Sequence, residues 1–192
     1  MMMMMRGLAL LVTFTCGYLV QQGHSYTPLI QNATVWPLPK QLKTGDQALT
    51  VSKNFHFECA ESSPAGCPAP LPDAFERYIS TQEGSRIIFV AGEPSQETDA
   101  QVQSDSVDVV TVSVEMEAPL DYGVVESYTI EVTQDGSASI KAVTQWGALR
   151  AMESLSQLIW WNEEEEGTVY HLQGVPVSIS DSPRFPWRGV LM

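Results

Sequence analysis

Arg188 is the residue whose type and position most directly suggest chemistry. It stands just before the apolar run Val190-Leu191-Met192, and Pro183 and Pro186 come before it. Prolines favour extended backbone, and a continuous apolar run is typical of a strand covered on both faces. On such a strand Arg188 shares a face with Val190 and Met192. Its guanidinium is a rigid planar fork of donors that stays charged, so we expect it to have a specific partner.

Two interpretations of Arg188 follow from the residues alone. It could bind a ligand through its donor fork, or it could pair with a carboxylate as a structural arginine. If the strand is the start of a parallel barrel, the second interpretation gains weight, because barrel active sites collect at the carboxyl ends of strands. Arg188 lies near the amino end of its run.

Other candidate chemical groups are weaker. The run Glu163-Glu164-Glu165-Glu166 could be read as paired catalytic carboxylates, but consecutive like charges are typical of a solvated segment. His56 and His171 are too far apart in sequence to suggest a shared site, and His24 lies within residues 1–25, which are predicted below to be a cleaved signal peptide. The sequence contains no nucleophile-elbow motif, glycine-rich phosphate loop or metal-ligand cluster, so we expect no cofactor and no metal.

Cys59 and Cys67 are predicted to form a disulfide. Cys16 lies in the same predicted signal peptide, which leaves an even pair of cysteines on either side of a loop that contains Pro64 and Gly66. A zinc site is the alternative, but structural zinc needs four ligands and only His56 is near.

The N-terminus predicts export. Arg6 precedes an apolar run that is shorter than the roughly 20 residues of a membrane span, and small residues follow it, so residues 1–25 read as a signal peptide cut after Ser25. Asn32-Ala33-Thr34 is an N-glycosylation sequon, with Asn32 as the acceptor. We therefore expect a secreted or lysosomal (vacuolar) protein without a membrane span. The net charge of -13 argues against nucleic acid as a partner.

The hydrophobic pattern predicts a mixed or antiparallel sheet with two helices, an α+β domain. Residues 34–57, 86–90 and 107–114 read as strands, and Asp135-Gly136 between 126–132 and 137–143 predicts a hairpin. One helix is expected over 74–81, with Asp73 as its N-cap. The other is expected over 146–161, with Thr144 as its N-cap.

Three motifs in this sequence resemble a known family. They are Val35-Trp36-Pro37-Leu38-Pro39-Lys40, the segment from Gln145 to Leu158, and Asp181-Ser182-Pro183-Arg184-Phe185-Pro186-Trp187-Arg188-Gly189-Val190-Leu191-Met192. They are similar to the opening, the accessory-domain helix and the barrel entry of the eukaryotic-type β-N-acetylhexosaminidases. The resemblance implies an accessory domain over 26–178 and the truncated start of a catalytic (β/α)8 barrel over 179–192.

The resemblance also implies a function. Members of that family hydrolyse terminal non-reducing N-acetylglucosamine or N-acetylgalactosamine residues of glycans by a substrate-assisted retaining mechanism. Arg188 matches the family arginine that binds the terminal sugar. The catalytic Asp-Glu pair lies far downstream in the family, and no Asp-Glu dipeptide occurs in this sequence. We therefore expect this chain to be inactive alone; a homodimer is considered for the full-length form.

A stand-alone secreted module is the alternative function. Trp160, Trp161 and Trp187 could stack on sugar rings and bind carbohydrate without catalysis. Because Trp160 and Trp161 are predicted to lie on a helix, we expect their rings to pack against other parts of the protein rather than to bind a sugar.

Overall fold

The computed structural model describes residues 35–80, 87–92, 94, 106–164 and 167–185. In chain order the elements are β1 (Gln41–Cys59), α1 (Leu71–Ile79), β2 (Ser106–Val114), β3 (Tyr128–Val132), β4 (Ala138–Ala142), α2 (Gln145–Ser156), β5 (Ile159–Glu164) and β6 (Gly167–Asp181). Within these ranges the predicted mixed sheet with two helices is confirmed. The predicted barrel strand lies outside the described residues, which end at Phe185, and the domain boundary after residue 178 stays a prediction.

The six strands form one mixed sheet in the order β1-β2-β4-β3-β6-β5, and β1 also pairs with β6. β2, β4 and β6 run in the same direction, because β3 is antiparallel to both β4 and β6 while β2 is parallel to β4. β1 is antiparallel to β6 over its first half and parallel to β2 over its second. The strand must therefore change direction, and its register shifts between Val51 and His56.

One face of the sheet is apolar and the helices cover it. Tyr128, Ile130 and Val132 of β3 are buried at alternate positions, as are Ala138, Ile140 and Ala142 of β4. α2 packs on β3 and β4, and α1 packs on β1. The strand residues that alternate with these buried ones, such as Glu131 and Lys141, are exposed on the other face of the sheet. The domain is therefore a two-layer structure with one solvated sheet face.

The predicted hairpin is confirmed. β3 and β4 pair antiparallel, with Val132 opposite Ala138. Gly136 has φ 85°, a left-handed conformation, and a Cβ at this position would lie 2.1 Å from the carbonyl oxygen of Ser106. The turn therefore requires glycine for both its backbone conformation and its close packing.

The first helix begins earlier than the pattern predicted. α1 starts at Leu71 with Pro70 at the N-cap position, and Asp73 lies in the first turn rather than at the cap. Pro72 is the second residue of the helix, where proline is tolerated because the first amide groups have no partner within the helix. Asp73 in the first turn interacts favourably with the helix dipole. The predicted cap at Asp73 was therefore wrong.

The second helix ends earlier than predicted. Thr144 caps α2 as expected, since its hydroxyl accepts a hydrogen bond from the amide of Gly147 at 3.4 Å. The helix ends at Ser156, whereas Trp160 and Trp161 lie on β5 opposite His171 and Tyr170 of β6. Sheet pairing overrides the apolar helical stripe at these residues.

The segment at 86–90 was also predicted wrongly. Residues 87–90 form turns and bends rather than a strand, although Ile88 and Phe89 are buried. Their apolar character comes from packing: the Phe89 ring meets the rings of Phe55 and Tyr170 edge to face. In the portion of the chain that is described, no helix has the length and apolar character to cross a membrane.

Candidate functional site

Several residues singled out in the sequence have no described position. Arg188, Trp187 and Asn32 lie outside the described residues. Their assignments to sugar binding, stacking and glycosylation therefore stay predictions.

Cys59 and Cys67 form a disulfide in the structure, with Cα atoms 5.5 Å apart. The bridge joins the end of β1 to the loop that leads into α1. Ser63, inside that loop, exchanges hydrogen bonds with the backbone of Val114, accepting from its amide at 3.0 Å and donating to its carbonyl at 3.2 Å. Among the described residues no group of three or more His, Cys, Asp or Glu side chains is placed to hold a metal ion.

Trp160 and Trp161 do not form a joint platform for a sugar. As neighbours on β5 they point to opposite faces of the sheet. The Trp160 ring stacks on His171 with centroids 5.3 Å apart, and Trp161 is 40% exposed. The carbohydrate-binding alternative therefore loses the pair of tryptophans on which it depended.

The structure instead shows a cleft of about 600 Å³ beside α2, which we call the α2 cleft. The segment before β1 forms one wall, α2 another, and the chain that leaves β6 a third. Its apolar lining includes Trp36, Leu38, Pro183 and Phe185, and its polar lining includes Glu126, Tyr128, Arg150, Glu153, Ser154, Asp181 and Arg184.

Hydrogen bonds join the elements around the α2 cleft. The hydroxyls of Tyr128 on β3 and Ser154 on α2 lie 2.6 Å apart, and the Tyr128 hydroxyl donates a longer bond of 3.5 Å to Asp181 at the end of β6. Asp181 also accepts from the amide of Lys40 at 3.1 Å. One buried phenol and one carboxylate thus connect the sheet, α2 and the segment before β1.

The segment before β1 is fixed to α2 by a second contact. The side-chain amide of Gln157, just after α2, accepts from the Trp36 amide at 2.7 Å and donates to the Trp36 carbonyl at 2.9 Å. Both backbone groups of Trp36 are therefore satisfied, while the residue remains 81% exposed. The Trp-Pro-Leu-Pro motif places an aromatic ring at the mouth of the cleft.

Two further polar pairs lie along α2. The Arg150 Nε donates to Glu126 at 3.0 Å, where the arginine side chain is 59% exposed and the glutamate side chain only 10%. The hydroxyl of Tyr78 on α1 donates to Glu153 at 2.9 Å. Sequence reasoning did not select these residues, because the partners are 24 and 75 positions apart and no local spacing connects them.

The phenols of this site are held in their protonated form. Burial raises the pKa of Tyr78, and the hydrogen bond to Glu153 and its charge raise it further. Burial is also the main cause of the raised pKa of Tyr128, although the hydrogen bond with Ser154 acts the other way. Both groups therefore donate hydrogen bonds at neutral pH and are unsuited to proton transfer, which needs a pKa near the working pH. This arrangement of hydrogen bonds can hold the segment before β1, α2 and the end of β6 together and can contact another molecular surface.

Comparison with known proteins identifies a matching family and relatives that are longer than this chain. A family model described as "beta-acetyl hexosaminidase like" matches residues 35–158, more than half of the chain. The chain is 32% identical to beta-hexosaminidase subunit alpha of Bos taurus and covers 29% of that protein with 82% of its own length. It is also 32% identical to beta-hexosaminidase of Emericella nidulans, covering 27% of that protein with 90% of its own length.

One solved structure is also similar. The chitobiase of Flavobacterium johnsoniae aligns with 85% of this chain and 22% of its own, at 20% identity and a TM-score of 0.49. The chain thus spans less than a third of the length of the relatives it matches. Because the family model matches residues 35–158, the chain belongs to the beta-acetyl hexosaminidase like family.

Proposed function

We propose that this chain is the non-catalytic N-terminal part of a β-N-acetylhexosaminidase. The longer protein would hydrolyse terminal non-reducing N-acetylglucosamine or N-acetylgalactosamine residues of glycans by a substrate-assisted retaining mechanism. The observation that carries the proposal is the family match over residues 35–158, together with relatives that are beta-hexosaminidases. Within the longer protein, Arg188 would bind the terminal sugar.

The 192 residues alone are expected to be inactive. Protonation of the leaving glycosidic oxygen needs a positioned acid with a pKa near the working pH. The family acid belongs to an Asp-Glu pair that this sequence lacks. The phenols beside the α2 cleft have raised pKa values and cannot replace it.

A direct comparison of two polypeptides tests this proposal. The 192-residue chain and the product of the uninterrupted reading frame would be purified and assayed with a chromogenic N-acetylglucosaminide. We expect hydrolysis by the longer product only. Activity in the 192-residue chain, from material shown to be free of host enzyme, would contradict the assignment, as would an inactive but folded longer product.

We propose further that the protein is exported, to the cell exterior or to a lysosomal or vacuolar compartment. Residues 1–25 have the pattern of a signal peptide, Asn32 lies in a sequon, and the Cys59–Cys67 disulfide is of a kind that persists in oxidising compartments. Mass spectrometry of secreted material tests this. We expect an N-terminus at Tyr26 and a mass decrease on treatment with peptide N-glycosidase; a secreted chain that retains Arg6 would contradict the predicted cleavage.

A further inference from the structure

The chain leaves β6 at a point that a single lysine holds in place. Asp181, the last residue of β6, accepts a hydrogen bond of 3.1 Å from the backbone amide of Lys40. The ammonium group of the same Lys40 donates to the hydroxyl of Ser182 at 2.5 Å. Lys40 therefore binds two consecutive residues at the exit of the chain from the sheet. We call Lys40, Asp181 and Ser182 the exit clamp.

The sheet supports the exit clamp through β3. Tyr128 is opposite Asp181 in the β3–β6 pairing, and its hydroxyl donates to the second carboxylate oxygen of Asp181 at 3.5 Å. The two oxygens of this carboxylate thus accept from two different elements, the segment before β1 and the first residue of β3. Hydrogen bonds to an ionised acceptor are stronger than neutral ones, so the Asp181 side chain is well suited to hold a chain segment in one position.

The exit clamp begins where the strand pairing of β6 ends. The β1–β6 pairing reaches Ser180, opposite Gln41, and the β3–β6 pairing reaches Asp181. Beyond these pairs the ladder no longer sets the path of the chain, and the contact of Lys40 with Ser182 takes over. The direction in which the chain leaves the sheet therefore depends on side chains.

The sequence after the exit clamp predicts a stiff connector. Six residues separate Asp181 from Arg188, and Pro183 and Pro186 are two of them. A proline fixes its own φ and restricts the residue before it, so the two prolines and their two preceding residues have limited backbone freedom. Seven residues from Asp181 to Arg188 span at most about 25 Å. A displacement at the clamp is therefore expected to reach Arg188 rather than to be absorbed on the way.

We propose that Asp181 is a positioning residue for Arg188: the exit clamp sets where the connector begins and thereby places the guanidinium. The inference rests on the proposed function, in which Arg188 binds the terminal sugar. A planar fork that holds two hydroxyls tolerates little displacement, and a misplacement of about 1 Å can lower a rate on the order of 100-fold. In this role Asp181 makes no contact with the sugar, so its effect must pass through Arg188.

Substitution of Asp181 in the product of the uninterrupted reading frame tests the proposal. Asp181→Ala removes both acceptor oxygens, and we expect kcat/KM for a chromogenic N-acetylglucosaminide to fall by roughly 10- to 100-fold. Asp181→Asn keeps an acceptor for the Lys40 amide and should restore most of this loss. Asp46→Ala, at an exposed aspartate of β1 outside the exit clamp, is the matched control and should leave kcat/KM unchanged.

A double-mutant cycle shows whether Asp181 acts through Arg188. If it does, Asp181→Ala should have little further effect on kcat/KM once Arg188 is replaced by lysine, because the fork that it positions is already lost. An aspartate with a merely structural role would instead lower the melting temperature, and its effect on kcat/KM would multiply with that of Arg188→Lys. Independent effects of the two substitutions would overturn the proposal.

Lys40→Met provides a second test that leaves Asp181 in place. It removes only the ammonium group of an exposed side chain, so we expect a severalfold fall in kcat/KM at an unchanged melting temperature. Lys43→Met is the matched control, because Lys43 is also exposed on β1 but is opposite Ser178, outside the exit clamp. If Asp181→Ala does not fold, Lys40→Met decides: an unchanged kcat/KM would overturn the positioning role.

The outcomes separate this proposal from the proposed function. An active longer product whose kcat/KM is unchanged by Asp181→Ala would overturn the positioning role and leave the proposed function intact. A folded longer product that hydrolyses no N-acetylhexosaminide would contradict the proposed function and, with it, the role of Asp181. A fall in kcat/KM that disappears in the Arg188→Lys background would support both.

Discussion

The hydroxyl of Tyr128 lies 2.6 Å from the hydroxyl of Ser154, and this hydrogen bond joins the first residue of β3 to the last turn of α2. Both side chains belong to buried residues. The same phenol reaches Asp181 where β6 ends, so that one side chain links the sheet, the helix layer and the exit of the chain.

Removing this phenol should destabilise the domain. In Tyr128→Phe the ring can remain in place, but Ser154 loses a buried partner, and an unsatisfied buried hydroxyl costs about 1–3 kcal/mol. We expect the free energy of unfolding, measured with urea, to fall by about that amount. Tyr122→Phe is the matched control, because Tyr122 is 75% exposed, and it should have almost no effect. Equal effects of the two substitutions would contradict a structural role of the Tyr128 hydroxyl.

The two buried phenols also predict an alkaline limit of stability. Their pKa values are raised in the folded state, chiefly by burial. Above a pH of about 10 the unfolded chain loses phenolic protons that the folded chain keeps, so the free energy of unfolding falls as pH rises. The stabilisation that the two protonated phenols give the folded chain is fully present below a pH of about 10. In Tyr78→Phe we expect a shallower decline between pH 10 and 11, measured by urea unfolding against unmodified protein; an identical slope would contradict the raised pKa of Tyr78.

The disulfide should add stability without being essential for the fold. The chain-entropy relation gives roughly 2.5 kcal/mol for so short a loop. Ala60 and Ala65 also donate backbone hydrogen bonds to Val112 and Val114, and these bonds do not depend on the bridge. We expect Cys59→Ser with Cys67→Ser to give a folded domain with a lower melting temperature. Two alkylatable thiols in the unreduced, denatured parent would show that the bridge does not form.

Elements with a local cause were predictable from the sequence. The β3–β4 hairpin follows from Asp135-Gly136, and the start of α2 follows from Thr144, because each depends on residues within a few positions. α2 was extended too far because Trp160 continues the helical stripe, whereas its position on β5 is set by pairing with β6. No residue near Trp160 in the sequence distinguishes a continued helix from a strand at this position.

β6 could not be recognised for a related reason. Gly174 and Pro176 interrupt its pattern and normally argue against a strand interior. In the structure they coincide with the irregular stretch of the β1–β6 pairing, where the register shifts on either side of the Gln47–Val175 pair. A Cβ on Gly45 of β1 would lie 2.3 Å from the carbonyl oxygen of Val175, so the two strands approach closely there. The α2 cleft was missed for the same reason, since long-range pairing assembles it.

The final prediction concerns Arg188 in the longer protein. Arg188→Lys keeps the positive charge, but lysine has a single ammonium group and cannot hold two sugar hydroxyls in the geometry of one planar fork. Losing one charge-assisted hydrogen bond costs about 1.5 to 3 kcal/mol, or roughly a 10- to 150-fold fall in kcat/KM for a terminal N-acetylglucosaminide. Arg184→Lys, the same change four residues earlier at an exposed side chain, is the matched control and should leave kcat/KM nearly unchanged. Thermal unfolding distinguishes the two interpretations of Arg188, because a structural arginine would lower the melting temperature when replaced. An Arg188→Lys protein that melts like the parent and keeps its kcat/KM would show that Arg188 does not bind the sugar.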